Sequence, residues 1–211
     1  MKISRDKIYL DYAATTPIDK EVKKTMEQSG FGNPGSLHSF GQEALATVDE
    51  SREKIAKAIG ADFREIIFTG SATEANNLAL RGIIKNLKSQ ISNLKSLRII
   101  TSIIEHKSIL ETCRDLEKEG VEIIYLPVNK QGIVDLKKLE ESLNERTILV
   151  SIIYANNEIG IIQPLFEISK IIDNFKKRNF QKNPNYYPLF HTDSVQAFQF
   201  LNCNVNNLGI D

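Results

Sequence analysis

Ile66-Ile67-Phe68-Thr69-Gly70-Ser71-Ala72-Thr73-Glu74-Ala75-Asn76-Asn77 is the stretch that decides the fold. Four apolar or β-branched residues bounded by Gly70 read as a buried strand, and Ala75, Ala79, Gly82, Ile83 and Leu87 then recur at helical spacing. A strand therefore feeds a helix through a turn of small residues. Small side chains let a ligand approach the backbone, and the first N–H groups of a helix have no partner inside it, so such a turn can cradle a phosphate. Ser71 is the expected N-cap, with Glu74 three residues on to complete a capping box. By itself the pattern is equally that of a well-capped α/β turn.

Upstream of this stretch, Leu45, Val48, Ile55 and Ile59 place an amphipathic helix over Gln42 to Gly60, with Gly60 as its stop. Before it, Phe31 to Gly41 is dense in Gly, Asn, Pro and Ser and reads as an irregular loop. Glu21 to Gln28 reads as a surface helix. Ile8 to Tyr12 reads as a short strand, ended by Ala13-Ala14-Thr15-Thr16-Pro17.

Downstream, strands are expected at Arg98 to Ile104, Val121 to Val128, Thr147 to Ile153 and Tyr187 to His191, and helices at Ser108 to Glu119, Asp135 to Asn144 and Phe166 to Arg178. Lys85 to Ser96, where Asn-Leu-Lys-Ser occurs twice, reads as a low-complexity surface extension, and Asn179 to Pro188 as an exposed loop. Strands and helices alternate. That order, with strands apolar on both faces, predicts a three-layer α/β/α architecture around a mostly parallel sheet.

Composition narrows the function. With 41% hydrophobic and 26% charged residues the chain is expected to fold, and 27 basic against 27 acidic residues create no field for nucleic acid or an anionic membrane. No apolar run approaches the length of a membrane span, and the first twelve residues carry charges without an apolar core, so a cytoplasmic location is expected. Cys113 and Cys203 form no paired motif, and His38, His106 and His191 lack zinc-ligand spacing. No metal site is expected.

Ligands of a parallel α/β sheet bind beyond the carboxyl ends of its strands. Each such end here carries chemistry: the Ser71-Ala72-Thr73 turn, His106, Asn157, Asp193 and Gln196. A phosphate cradle, an imidazole, two amides and a carboxylate suit a phosphorylated aromatic cofactor. The imidazole can stack on its ring, the amides can donate to a phenolic oxygen, and a carboxylate beside a pyridine nitrogen favours the protonated ring, the better electron sink. Singly, the same residues read as a half-buried histidine, a helix cap, a turn former and a surface amide.

Along nearly its whole length the chain resembles a cysteine desulfurase of the class-V aminotransferase family, pyridoxal-phosphate fold type I. The resemblance rests on Tyr9 to Pro17, Gly32-Asn33-Pro34 with Leu37 to Gly41, Thr69 to Asn77, Glu105-His106-Lys107, Ala155 to Gly160, and His191-Thr192-Asp193 with Gln196. It implies the large domain of the pyridoxal-phosphate-dependent transferase fold over residues 17–211, incomplete at its C-terminus, with residues 1–16 contributing to a small domain. It implies pyridoxal 5'-phosphate as cofactor, with its phosphate on Ala72 and Thr73, its ring under His106, its ring oxygen near Asn157 and Gln196, and its pyridine nitrogen paired with Asp193. His106 would also assist proton transfer. L-cysteine is the implied substrate, alanine and a persulfide the products, an iron–sulfur scaffold or other sulfur acceptor the partner, and a homodimer the assembly.

In that family the lysine that holds the cofactor covalently lies in a Ser-x-His-Lys motif after a further strand, and the persulfide cysteine follows later. Neither is expected among these residues, so Cys113 and Cys203 read as structural thiols and the isolated chain is expected not to turn over, with one sheet edge left open. Gly35, where the family usually has Ser, and Phe198-Gln199, where it usually has Gly-Lys, are the departures. Two other readings fit the residues: a related pyridoxal-phosphate lyase or aminotransferase, and a noncatalytic binding or regulatory protein that keeps the pocket.

Overall fold

Successive residues of each strand enter different cores. Ile99, Ile123 and Leu149 pack with Leu80, Ile84, Ile109, Cys113 and Leu116, whereas their neighbours Ile100 and Val150 pack with Leu139, Leu165, Ile168, Ile172 and Phe190. Side chains alternate across a strand, so a sheet with an apolar core on each face must be covered on both. That is the expected three-layer arrangement.

The computed structural model describes residues 8–28, 30–88, 97–179 and 187–211. The element order is α1 (Lys20–Glu27), α2 (Ser39–Ile59), a 3-10 turn (Phe63–Glu65), α3 (Ala72–Lys88), β1 (Arg98–Ser102), α4 (Lys107–Lys118), β2 (Glu122–Leu126), α5 (Leu136–Ser142), β3 (Thr147–Ser151), α6 (Leu165–Asn179), β4 (Leu189–His191) and α7 (Val205–Leu208). The sheet runs β2-β1-β3-β4 with every pairing parallel. α3 and α4 line one face, α5 and α6 the other. The repeated Asn-Leu-Lys-Ser extension and the Asn179 to Pro188 loop fall largely at 89–96 and 180–186, outside the described residues.

The chain divides into two compact units, Met1–Lys54 and Ile55–Asp211. In the first, Asp19 caps α1 by accepting from Glu21 N at 2.8 Å, and Asn33 Oδ1 accepts from Gly35 N at 2.9 Å to close the Asn-Pro-Gly turn. The expected loop ends earlier than its composition implied, because Ser39, Phe40 and Gly41 already belong to α2. Ile8 to Tyr12 is not a strand. Ile8 and Leu10 are almost fully exposed there, and the segment enters no sheet among the described residues.

The strand expected from Ile66 onward does not form either. Ile66 is extended and buried, yet Ile66 to Thr69 is not a strand of the sheet, and Ile67 is 69% exposed. Strand propensity reports that a residue suits a half-buried pleated surface, and it does not supply the neighbouring strand. The helix after it forms as expected. At the far edge, β4 is met at one point: Asp211 N donates to Phe190 O at 3.0 Å, and Asp211 Oδ2 accepts from Phe190 N at 2.9 Å. The edge expected to stay open is thus partly covered.

Candidate active site

The exits of β1, β3 and β4 and the start of α3, all within the second unit, carry the expected site residues. α3 begins at Ala72, and Ser71 Oγ accepts from Glu74 N at 3.1 Å, as an N-cap should. The reciprocal bond is shifted by one residue, because Glu74 Oε2 accepts from Gly70 N at 2.7 Å. Ala72 and Thr73 are exposed, so the first turn of the helix is open to a ligand. One turn on, at i+4 from Ala72 and i+3 from Thr73, Asn76 shares their helical face and is buried.

Asn76 links the site. Its Nδ2 donates to Asp193 Oδ2 at 2.8 Å and to Ser108 Oγ at 2.9 Å. Ser108 Oγ lies 2.8 Å from His106 Nδ1, and Ser108 N donates to the same nitrogen at 3.1 Å, which makes His106 the N-cap of α4. Asp193 is buried after β4, with Oδ1 accepting from Val195 N at 3.1 Å and its carbonyl accepting from Tyr154 N at 3.0 Å. The structure therefore joins the expected His106 and Asp193 through two residues that periodicity did not single out. Asn76 reads as one more polar residue of an amphipathic helix, and Ser108 as a helix-start residue. The signal available was their place, Asn76 in the first turns of α3 and Ser108 in the first turn of α4 after the β1 exit.

The β3 exit is built by Asn156. Its Oδ1 accepts from Glu158 N and Ile159 N at 2.9 Å each, and its Nδ2 donates to Ile104 O at 2.8 Å, so it folds the Asn-Asn-Glu-Ile-Gly turn and ties it to the β1 exit. Gly160, at φ 69, completes the turn in the left-handed region. Asn157, the candidate ligand residue, stands half-buried on that turn. Gln196 stands exposed on the turn after Asp193.

A further buried acid braces the floor. Glu105 Oε1 accepts from Ser102 Oγ at 2.6 Å and from Ile153 N at 2.9 Å, joining the ends of β1 and β3. Its Oε2 has no hydrogen-bond partner among the described residues. Burial, against those two hydrogen bonds and with a small contribution from the charge of Asp193, pushes the carboxyl up to about 8, so at neutral pH it is a neutral acid. His191, bonded through Nδ1 to Ser151 Oγ at 2.9 Å, is pushed down to about 4 by burial and stays neutral. Burial also drives the Cys113 thiol up to about 12, the opposite of what a nucleophile needs. Among the described residues no group of acids, histidines and cysteines could hold a metal ion, and no helix is long and apolar enough to cross a membrane.

The site therefore combines an open helix start, an imidazole, a buried carboxylate with both oxygens occupied as acceptors, and two amides on adjoining turns. Comparison with known proteins gives the same direction. Residues 8–211 match the aminotransferase class-V family. The chain is 48% identical over 207 residues to the cysteine desulfurase IscS of Dictyoglomus turgidum, covering 97% of this chain and 48% of that protein. It is 48% identical to the protein of the same name from Rickettsia massiliae, covering 97% and 47%. Among solved structures, a NifS-like protein superposes with a TM-score of 0.84 at 36% identity, over 97% of this chain and 53% of its own. SspA in complex with cysteine does so with a TM-score of 0.84 at 34% identity, over 96% and 55%. The chain spans about half the length of the curated relatives it matches.

Proposed function

This chain belongs to the class-V aminotransferase family, whose cysteine desulfurase members depend on pyridoxal phosphate, and from that premise we propose that it carries the cofactor-binding half of a cysteine desulfurase. The overall reaction takes sulfur from L-cysteine: the substrate C–S bond breaks, an S–S bond forms with an enzyme thiol, and alanine leaves with the persulfide left on the protein. Cys113, buried and held as a thiol, does not suit the accepting role. A homodimer, an iron–sulfur scaffold or other sulfur acceptor, a cytoplasmic location, and a small-domain role for residues 1–16 belong to the same proposal.

The observation that carries it is the Asp193 carboxylate, buried, accepting on both oxygens and facing the same cluster as His106. Such a group fits a protonated pyridine nitrogen, and the small exposed residues at the start of α3 fit a phosphate. Pyridoxal phosphate, when bound, supplies a ring that takes up electrons released at a substrate carbon. Ala72 and Thr73 would hold its phosphate, and Asp193, oriented by Asn76, would keep the ring nitrogen protonated. Asn157 and Gln196 would hold the ring oxygen, while His106 would cover the ring face and hold a proton at Nε2. Tyr154 and Ile153, pinned to Asp193 and Glu105, keep the β3 exit in register with those of β4 and β1.

The test is a spectral titration of the chain with pyridoxal phosphate, followed by borohydride reduction and mass analysis. Saturable binding by the chain, weakened at least tenfold in Asp193→Ala and reduced in Thr73→Val, is the expected result. No saturable binding, or equal binding by all three proteins, would overturn the assignment.

A further inference from the structure

We infer that the buried network under the site fixes His106 as its Nε2–H tautomer, with Nδ1 held as an acceptor, and that Ser108 and Asn76 are the positioning residues that set this state. Two independent donors reach Nδ1. Ser108 N is a donor only, and it lies 3.1 Å from Nδ1 in the N-cap bond. A hydrogen already on Nδ1 would point at that N–H.

The second donor follows from the amide. Asp193 accepts from Val195 N on Oδ1, and its Oδ2 lies 2.8 Å from Asn76 Nδ2. Turning the amide over would set a carbonyl oxygen against the carboxylate, so its nitrogen must face Asp193. The same NH2 group lies 2.9 Å from Ser108 Oγ and gives it its second hydrogen. Ser108 Oγ then has one hydrogen to place, and His106 Nδ1 at 2.8 Å receives it. Each bond in the row Asp193, Asn76, Ser108, His106 is oriented by the one before, and bonds in such a row strengthen one another.

The neutral ring consequently carries its hydrogen on Nε2, the nitrogen turned away from the network. This deepens the proposed reading and rests on it for its meaning. Over a bound ring, His106 would act as a donor at Nε2. Taking up a further proton would mean placing it at Nδ1 against Ser108 N–H and turning the Ser108 hydroxyl away. The row also passes the orientation of the carboxylate at Asp193 to the imidazole, so the two groups are set together rather than singly.

Long-range proton–nitrogen correlation spectra of the 15N-labelled full chain, recorded without cofactor at about pH 8, above the ordinary imidazole range, read the tautomer directly. His106→Gln assigns the signals by their loss. The expected spectrum has a protonated Nε2 and an unprotonated, hydrogen-bonded Nδ1 for His106. A protonated Nδ1 would overturn the inference. In Ser108→Ala and Asn76→Ala the Nδ1 resonance should move toward that of an acceptor with fewer donors, and Ser108→Thr, which keeps the hydroxyl, should restore it. An unmoved Nδ1 in both variants would remove Ser108 and Asn76 from the role. If either variant fails to fold, the spectrum of the unaltered chain still decides the tautomer. Because no cofactor is added, failure here is distinct from failure to bind pyridoxal phosphate.

Discussion

Asn76 and Asp193 stand 117 residues apart in sequence and 2.8 Å apart in the fold, the amide nitrogen of the first donating to Oδ2 of the second. The bond joins α3, whose first turn is the candidate phosphate site, to the exit of β4, where the candidate ring-nitrogen partner lies. Both ends of a ligand would thus be referred to one helix.

Replacing Asn76 by Leu removes the donor and leaves a buried carboxylate oxygen without it. A hydrogen bond to a charged group contributes about 1.5–3 kcal/mol, and urea unfolding of Asn76→Leu should show a loss of that order. Asn76→Asp should lose more, since two acidic groups would then meet in a buried place. A change within the error of the unfolding curves for both would refute the bond's importance.

Stability should fall as pH rises between the ordinary imidazole range and about 8. Glu105 keeps its proton in the folded state up to about 8, against a reference of 4.5 when unfolded. Across that window the unfolded chain binds fewer protons, so its contribution is full below the lower value and lost as pH rises through the upper one. His191 acts oppositely, since its value falls from 6.5 to about 4 on folding and its contribution is lost as pH falls through that range. The two oppose each other at acidic pH, and Glu105 dominates above 6.5. Glu105→Gln keeps an acceptor for Ser102 and Ile153 and should flatten the decline between about pH 6.5 and 8, whereas Glu105→Ala should destabilise at every pH. Unfolding curves at a series of pH values would decide this. An unchanged slope in the Gln variant would be the contrary result.

Ser71→Ala removes the acceptor for Glu74 N at the start of α3. Loss of an N-cap costs about 1 kcal/mol, and Glu74→Ala should add a smaller loss by freeing Gly70 N. Thermal unfolding of the two single variants and the double variant would measure both, and a Ser71→Ala protein as stable as the parent would contradict the capping geometry.

Two glycines should respond in opposite directions to alanine. Gly60 has φ 71, and a Cβ there would lie 2.2 Å from Asn204 Nδ2, a side chain already fixed as the cap of α7 by its bond to Asn207 N at 3.0 Å. Gly60→Ala should therefore destabilise by more than about 1 kcal/mol. Gly82 lies inside α3, where a Cβ would meet nothing within 4 Å among the described residues. Gly82→Ala should stabilise by about 0.5–1 kcal/mol. Chemical denaturation of both, side by side, tests the backbone reading at each position.

The order of elements and the chemistry at the strand exits were legible in the sequence because both are local. Short apolar runs separated by amphipathic segments mark the five-residue strands β1 to β3 and their helices, the stops at Gly60 and Gly120 follow from their left-handed backbone, and Ser71 capped where its spacing to Glu74 said it would. His106 and Asp193 stood out for the same reason, each sitting just past an apolar run.

What the sequence could not contain was which distant groups would meet. Ile66 to Thr69 has the composition of a strand, but a strand exists only through its neighbour, and pairing is a property of the sheet. Asn76 and Ser108 look like ordinary helix polar residues until the β4 exit brings Asp193 against one of them. The acidity of Glu105 is likewise invisible in its side chain, since it is the burial at the β1 and β3 ends that holds its proton. Sequence by itself determined the alternating elements, their caps and the residue types at the strand ends, all effects of short range along the chain. Only the tertiary structure decided the strand order, the hydrogen-bonded row from Asp193 to His106 and the charge state of Glu105, because each depends on contacts between residues far apart in sequence and on the water those contacts exclude.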